Sequence, residues 1–356
     1  MKIVFVSHQY EYGDKNRGFS YAYSNFYDTL VKMNGGENQV THFPVDQMLR
    51  EFGRQEANEK LLEMVFKEKP DICFFCLSKE EIKKETIKKI TEESGAVTLN
   101  WFTDDHWRFY NFSRHWAPCF HWAVTTDPKA VEKYHAIGYN NVIMSQWACN
   151  HFLYKPLHLQ KMYDVTFVGQ PHGNRKKVIK KIKEAGMPVA CFGFGWPNGH
   201  VSFEQMLKIF SQSKINLGLT NSSTSGIIKS LASIFIEKDY RKKIRLANPA
   251  HWIDNARFVL AKRRNQFKGR NCEVPGCGSF LLTQDADGLK ECYEDGKEIV
   301  IFKDFTDLMV KIKYYLEHPE EREAIAKAGY ERTMTDHTYE KRFNEIFNKI
   351  KLVKKK

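Results

Sequence analysis

Several things are missing from this 356-residue sequence, and each absence removes a class of protein. No apolar run approaches the ~18 residues that a membrane-crossing helix needs. The short stretch Ile3 to Val6 runs straight into polar His8-Gln9-Tyr10-Glu11, without the longer core and small-residue cleavage site of a secretory leader. There is no internal repeat and no low-complexity tract beyond the Lys354-Lys355-Lys356 end. G-x-G-x-x-G spacing and a Walker lysine are both missing, which argues against NAD binding and ATP hydrolysis. No cluster of His, Cys and carboxylates has metal-ligand spacing. The eight cysteines are scattered and read as free thiols in a reducing compartment. Cys73 and Cys76 do match C-x-x-C, yet they sit in the apolar run Ile72 to Leu77. On a strand, residues three apart face opposite sides, so this pair reads as core.

What is present is a foldable, basic chain. Aromatic residues make up 14% of it, which excludes disorder. The 55 Lys and Arg outweigh 43 Asp and Glu by +12, which favours anionic partners or simply a solvated basic surface. Its length predicts about two domains.

Apolar runs alternate with helical periodicity, the pattern of parallel α/β architecture. Strands are expected at Lys2 to Ser7, near Val40, and at Asp71 to Leu77, Ala96 to Phe102, Trp122 to Thr125 and Asn141 to Gln146, with helices between them. Residues 1–150 therefore read as one Rossmann-like domain. Residues 151–161 read as a linker. The pattern restarts over 162–336 with strands at Asp164 to Gly169, Val189 to Phe192, Lys214 to Leu219, Ser279 to Leu282 and Glu298 to Phe302, interrupted by a basic insertion over about 224–264. Asn174 is expected to cap a helix. In a last helix, 338–350, Tyr339, Phe343, Ile346, Phe347 and Ile350 form one stripe, expected to return to the first domain.

Ligands bind at the carboxyl ends of strands in open parallel sheets, so four loops carry the candidate chemistry. Gly13, Arg17 and Gly18 follow the first strand, as an acceptor or phosphate loop. Asp104 and Asp105 follow the fourth strand and suit general acid/base work; a helix cap by Asp105 or Thr103 is the competing reading. Gly169, Gln170 and Arg175 form a strand–turn–helix junction able to cradle phosphate. Finally, Lys268 and Arg270 precede Glu273, and Gly278 follows it by five residues, before a strand. The cations suit a diphosphate and the carboxylate a ribose diol.

That last segment resembles the donor element E-x-x-x-x-G-x-h-h-h-T of two-domain (GT-B) glycosyltransferases. Gly296-Lys297-Glu298, His318-Pro319-Glu320-Glu321-Arg322, Ile325 to Gly329 and His337 to Phe343 resemble the spore-maturation CgeB-like family. Asp164 to Arg175 and Ser213 to Leu217 fit it too, as do Trp101 to Asp105 and Arg17 to Tyr21 more loosely. The resemblance implies two Rossmann-like domains facing a cleft and transfer of a sugar from a nucleotide-diphosphate donor to a glycan, protein or lipid-linked acceptor. It implies no metal and no cofactor beyond that donor. Gly169, Arg175, Asn221, Ser222, Lys268, Arg270, Glu273 and Gly278 would hold the donor, with Asp104 or Asp105 as base. Retaining relatives carry a second glutamate eight residues before the ribose-binding one, and here that position is Asn265. A sugar-nucleotide epimerase of the same fold is one alternative. A non-catalytic sugar-nucleotide or polyanion-binding protein is another, although no nucleic-acid motif is present. The chain is expected in the cytoplasm, with its Lys tail available to anionic headgroups at the inner membrane face.

Overall fold

The computed structural model describes residues 1–220, 227–238, 243–261 and 264–354. Contacts divide the chain into two compact units. Unit 1 comprises Met1–Gln146, Ile227–Ala261 and Arg342–Lys356, and unit 2 comprises Trp147–Gly226 and Lys262–Lys341.

Unit 1 is built on six parallel strands: β1 (Lys2–Ser7), β2 (Gln39–Pro44), β3 (Ile72–Phe75), β4 (Val97–Phe102), β5 (Trp122–Thr125) and β6 (Val142–Met144). They lie in the order β2-β1-β3-β4-β5-β6. Every residue of β3, β4 and β5 is buried, because helices cover both faces of the sheet and leave no side free for polar alternation. Cys73 lies in β3 and Cys76 just beyond it. Burial pushes both thiols up to about 12, which keeps them inert as core residues.

The helix Tyr339–Lys354 supplies part of this core. Phe343, Ile346, Phe347 and Ile350 are buried. The Phe343 ring meets Phe74, Phe26 and Trp101 edge-on, at centroid distances of 5.5, 5.6 and 6.1 Å. Each such side chain contributes roughly 1.5–3 kcal/mol before entropy.

Unit 2 holds β7 (Tyr163–Val168), β8 (Ala190–Phe192) and β9 (Ser213–Gly218). After the insertion, whose hairpin is β10 (Ile236–Lys238) and β11 (Ile244–Leu246), come β12 (Leu281–Gln284) and β13 (Val300–Phe302). The parallel sheet runs β13-β12-β9-β7-β8. Each sheet thus has its second strand outside its first and the third on the other side, a doubly wound order. The strand order reverses between β1 and β3 in unit 1 and between β7 and β9 in unit 2, where such sheets open a crevice for ligands.

Two expectations need correcting. The insertion was read as part of the second domain, but Ile227–Ala261 counts with unit 1. Asp254 explains why: its carboxylate accepts from Arg114 at 2.7 Å, and Phe258 packs on Trp107 with ring centroids 4.9 Å apart. Asn174 occupies the position before the helix Arg175–Glu184, yet its side chain makes no capping hydrogen bond.

Candidate functional site

In unit 2, chemistry collects where the strand order reverses. β7 ends at Val168, and Gly169 follows with both backbone groups engaged: its N–H donates to Phe192 O at 2.9 Å, and its carbonyl accepts from Trp196 Nε1 at 2.8 Å. Gly169 thus shapes the turn and offers no free amide. Arg175 closes the crevice. Its Nη1 donates to Gln170 O at 2.9 Å and its Nη2 to Leu219 O at 2.7 Å, so one guanidinium ties the loop after β7 to the loop after β9. Burial, and after it the charge of Arg270, lower its pKa to about 10. Two guanidinium groups therefore stand close enough to repel each other, an arrangement that an anion between them would relieve.

Arg270 begins the helix Arg270–Gly276. Its Nη1 donates to Glu273 Oε2 at 2.6 Å and to Met206 Sδ at 3.0 Å, and its guanidinium covers the Phe210 ring. Glu273 is only 2% exposed. It is a buried carboxylate bonded to Arg270, where the sequence reading expected a group open to a ribose diol. Lys268 donates to Gln266 Oε1. Asn265 donates its Nδ2 to Asp285 O at 2.9 Å and so fastens this loop over the end of β12.

Gly278 is the clearest correction. It precedes β12 and therefore sits at the amino end of the sheet, opposite the crevice. There it lines a separate cavity of about 540 Å³ with Pro156, Lys161 and Ser211. Its φ of +63° and its closeness to Pro156, 3.2 Å from an added Cβ, explain the glycine structurally. At the carboxyl ends of β9, β12 and β13 a cavity of about 320 Å³ is lined by Asn174, Lys177, Lys181 and Asp304, among others. The two lysines face outward one turn apart on a helix, and the sequence reading did not single them out. Asn221 and Ser222 lie outside the described residues.

In unit 1 the equivalent crevice holds a pair that sequence reasoning missed. His8, immediately after β1, places its Nε2 3.3 Å from Glu81 Oε1, in the loop after β3. Burial alone would lower the His8 pKa, but the hydrogen bond to Glu81 and its charge outweigh it, and the pKa is raised. Burial works to raise the pKa of Glu81, but His8, its own backbone amide and the charge of Lys79 together lower it. Arg108 stands beside Glu81 and Asp104: burial lowers its pKa while their charges oppose the shift. Asp104 is half-buried at the start of the helix Asp105–Arg108, which its side chain does not cap.

Asp105 is fully buried and its Oδ2 accepts from Tyr134 Oη at 2.9 Å. Burial lifts its pKa to about 7, against the opposing hydroxyls of Ser113, Thr125 and Tyr134. This carboxyl is closed off from solvent and bonded to Tyr134, where the sequence reading expected an open base.

The loop after β1 is also corrected. Gly13 N–H donates to Tyr10 O at 2.9 Å and Gly18 N–H to Lys15 O at 3.1 Å, so both amides close turns within the loop. Asp46 pins the loop by accepting from Gln9 and Tyr10 N–H at 2.7 and 3.1 Å. Arg17 lies over the Tyr12 ring, 4.9 Å from its centroid. Among the described residues no group of His, Cys, Asp and Glu could hold a metal ion.

Residues 175–348 match the family model described as glycosyl transferase-like. Over 232 residues the chain is 24% identical to spore protein CgeB of Bacillus subtilis, covering 65% of this chain and 67% of that one. Among solved structures it resembles sucrose-phosphate synthase from Thermosynechococcus elongatus, with a TM-score of 0.62 at 10% identity over 99% of both chains. It resembles Anabaena Alr3699/HepE in complex with UDP-glucose at 0.58 and 10%, again over 99% of both. A glycosyltransferase from Rickettsia africae gives 0.59 and 10%, over 98% of this chain and 97% of that one. Residues 175–348 are thus similar to the glycosyl transferase-like family, the chain resembles CgeB over about two thirds of its length, and its fold is that of the GT-B glycosyltransferases.

Proposed function

We propose that this protein transfers a sugar from a nucleotide-diphosphate donor to an acceptor hydroxyl without a metal ion. The observation that carries the reading is Arg175, whose guanidinium ties the loops after β7 and β9 together at the carboxyl ends of those strands and feels the charge of Arg270. An enzyme of this type must stabilise a diphosphate leaving group that gains negative charge as the glycosidic bond breaks. Fixed guanidinium groups meet that demand without reorganising. Lys268 and Lys177 add charge on the same side of the sheet. Glu273 serves as a positioning residue that aims Arg270.

On unit 1, His8 is the candidate proton acceptor. The acceptor oxygen attacks the anomeric carbon, the bond to the diphosphate oxygen breaks with its electron pair, and the hydroxyl proton leaves to a general base, a role for which His8 has the chemistry. Glu81 stabilises the imidazolium so formed. Asp104 and Arg108 line the same strand ends and orient the acceptor.

The Anabaena neighbour's complex with UDP-glucose makes that compound the first donor to try. Calorimetry with UDP-, GDP- and ADP-sugars names the base. Arg175→Ala and Arg270→Ala should each weaken the best ligand about tenfold or more, as loss of a charged hydrogen bond predicts. Unchanged affinity in both variants would remove this site. Consumption of the donor only when an acceptor is present separates transfer from epimerisation.

A further inference from the structure

The cavity at the amino ends of the unit 2 strands has no part in the transferase reading. Its volume of about 540 Å³ falls inside the range of small-molecule sites, roughly 300–1,000 Å³. Every wall belongs to unit 2: the segment before β7, the end of the helix Phe203–Gln212, the turn before β12 and the helix Pro319–Asp336. On that last helix Glu323, Lys327 and Tyr330 fall at i, i+4 and i+7, so one stripe of it faces the space.

The walls divide by chemistry. Pro156, Leu157 and Leu159 are apolar, and Leu159 is a large aliphatic group left 38% exposed. Groups for hydrogen bonding are few. Ser211 and Ser279 are almost wholly buried, Ser279 Oγ turns to Cys277 O at 3.4 Å, and no amide side chain lines the cavity among the described residues.

Charge is out of balance on the other wall. Among the described lining residues Glu323 is the one carboxylate, and it is half-exposed. It already faces Arg322, which is 4% exposed and sends Nη2 to Glu323 Oε1 at 3.4 Å and Nη1 to Tyr315 O at 2.7 Å. Lys161 is half-buried, and its Nζ donates to an uncharged partner, Ser213 O, at 3.1 Å. Burial lowers the Lys161 pKa; the charge of Glu323 opposes that shift and the charge of Arg322 adds to it. Lys327 has Glu331, 4.0 Å away on its own helix. One half-exposed acid thus serves two cations drawn out of water, and charges so placed need compensation.

We propose that this cavity binds a small amphiphilic anion, a carboxylate or phosphate monoester carried on an apolar chain. The head would meet Lys161 and Lys327, and the chain would lie along Pro156, Leu157 and Leu159. A sugar or nucleotide is disfavoured, because its hydroxyls would face leucine and proline without partners.

The test is calorimetry on the full chain with octanoate and octyl phosphate. Octanol lacks the charge and acetate lacks the chain, and each should bind at least about tenfold more weakly than the octyl anions. Binding of either octyl anion supports the site and names the head group. Lys161→Met keeps the stem without the charge and should weaken binding about tenfold, whereas Lys161→Arg should retain it. Lys327→Met, at an exposed position, should weaken it severalfold and spare the fold. Thermal melts confirm that each variant is folded. The proposal is overturned if neither octyl anion binds, if octanol binds as tightly as octanoate, or if folded Lys161→Met and Lys327→Met both keep wild-type affinity. It is equally overturned if Arg175→Ala abolishes the binding, which would place the anion in the opposite crevice.

Discussion

One turn apart in the helix Arg270–Gly276, the Glu273 carboxylate accepts from the Arg270 guanidinium at 2.6 Å. The acid is almost wholly buried and the base about a quarter exposed. Removing the acid leaves the guanidinium beside Arg175 with no compensating charge. Glu273→Ala should therefore cost about 3 kcal/mol in urea unfolding, the lower end for breaking a buried pair. Glu273→Gln, which keeps an acceptor oxygen, should cost less. Both should weaken nucleotide-sugar binding measured by calorimetry. A stable Ala variant with unaltered donor affinity would detach this pair from the site.

The His8–Glu81 pair predicts a pH profile. His8 must be neutral to take a proton, and its pKa lies above the ordinary value of about 6.5. Transfer should therefore rise with pH along an acid limb centred above that value. Glu81→Gln removes the interaction that raises His8 and leaves burial, which lowers it, so the limb should move to lower pH. In stability the sign is opposite. The raised pKa contributes fully below about pH 6.5, and the contribution fades as pH climbs through the folded-state value. An acid limb that stays in place in Glu81→Gln would assign it to another group.

Asp105 predicts a stability effect without a catalytic one. Its folded-state pKa, raised to about 7, means that the folded chain holds a proton that the unfolded chain releases near its ordinary value of 3.8. The stabilisation is complete below about pH 3.8 and fades as pH rises to 7 and beyond. Asp105→Asn should flatten that dependence in thermal melts between pH 4 and 8 and keep the donor affinity. Loss of donor binding in a folded Asn variant would contradict the structural assignment.

Gly193 should tolerate no side chain. Its φ of +127° is unfavourable for an L-residue, and an added Cβ would stand 2.6 Å from Gly169 O. That oxygen already accepts from Trp196. Gly193→Ala should destabilise unit 2 by about 1–3 kcal/mol and also weaken donor binding, because the displaced loop carries the Gln170 carbonyl that Arg175 holds. Wild-type melting and affinity together would show that the loop yields freely.

Chelation should leave transfer intact, since the argued charge stabilisation comes from Arg175, Arg270 and Lys268. Activity lost in EDTA and restored by Mg²⁺ or Mn²⁺ would replace that account with a metal-assisted one.

The sheets were legible in the sequence because their inner strands are buried on both faces. Ile72-Cys-Phe-Phe75 and Val97 to Phe102 cannot sit anywhere but a covered parallel sheet. The stripe from Phe343 to Ile350 likewise announced a buried helix. What stayed hidden depends on distance along the chain. His8 and Glu81 are 73 residues apart and meet only because β1 and β3 are neighbours. Asp254 reveals the insertion's attachment through a partner 140 residues away. Gly278 could have been read correctly: a residue that precedes a parallel strand lies at its amino end, whatever motif it completes. Glu273 could not, since a carboxylate spaced for a ligand looks the same in sequence as one committed to an arginine.

The course of the chain through unit 1 also orders its assembly during synthesis. Strands β1 to β6 leave the ribosome early, but the surface formed by Phe26, Phe74 and Trp101 stays uncovered until Phe343 arrives. All of unit 2 is translated in that interval. The nascent first unit must therefore carry an open aromatic surface for most of translation, a state in which chaperones bind and aggregation competes. Chains that stop near Asp336 should be recovered bound to holdases or in inclusion bodies, even though they contain every residue assigned to the donor crevice.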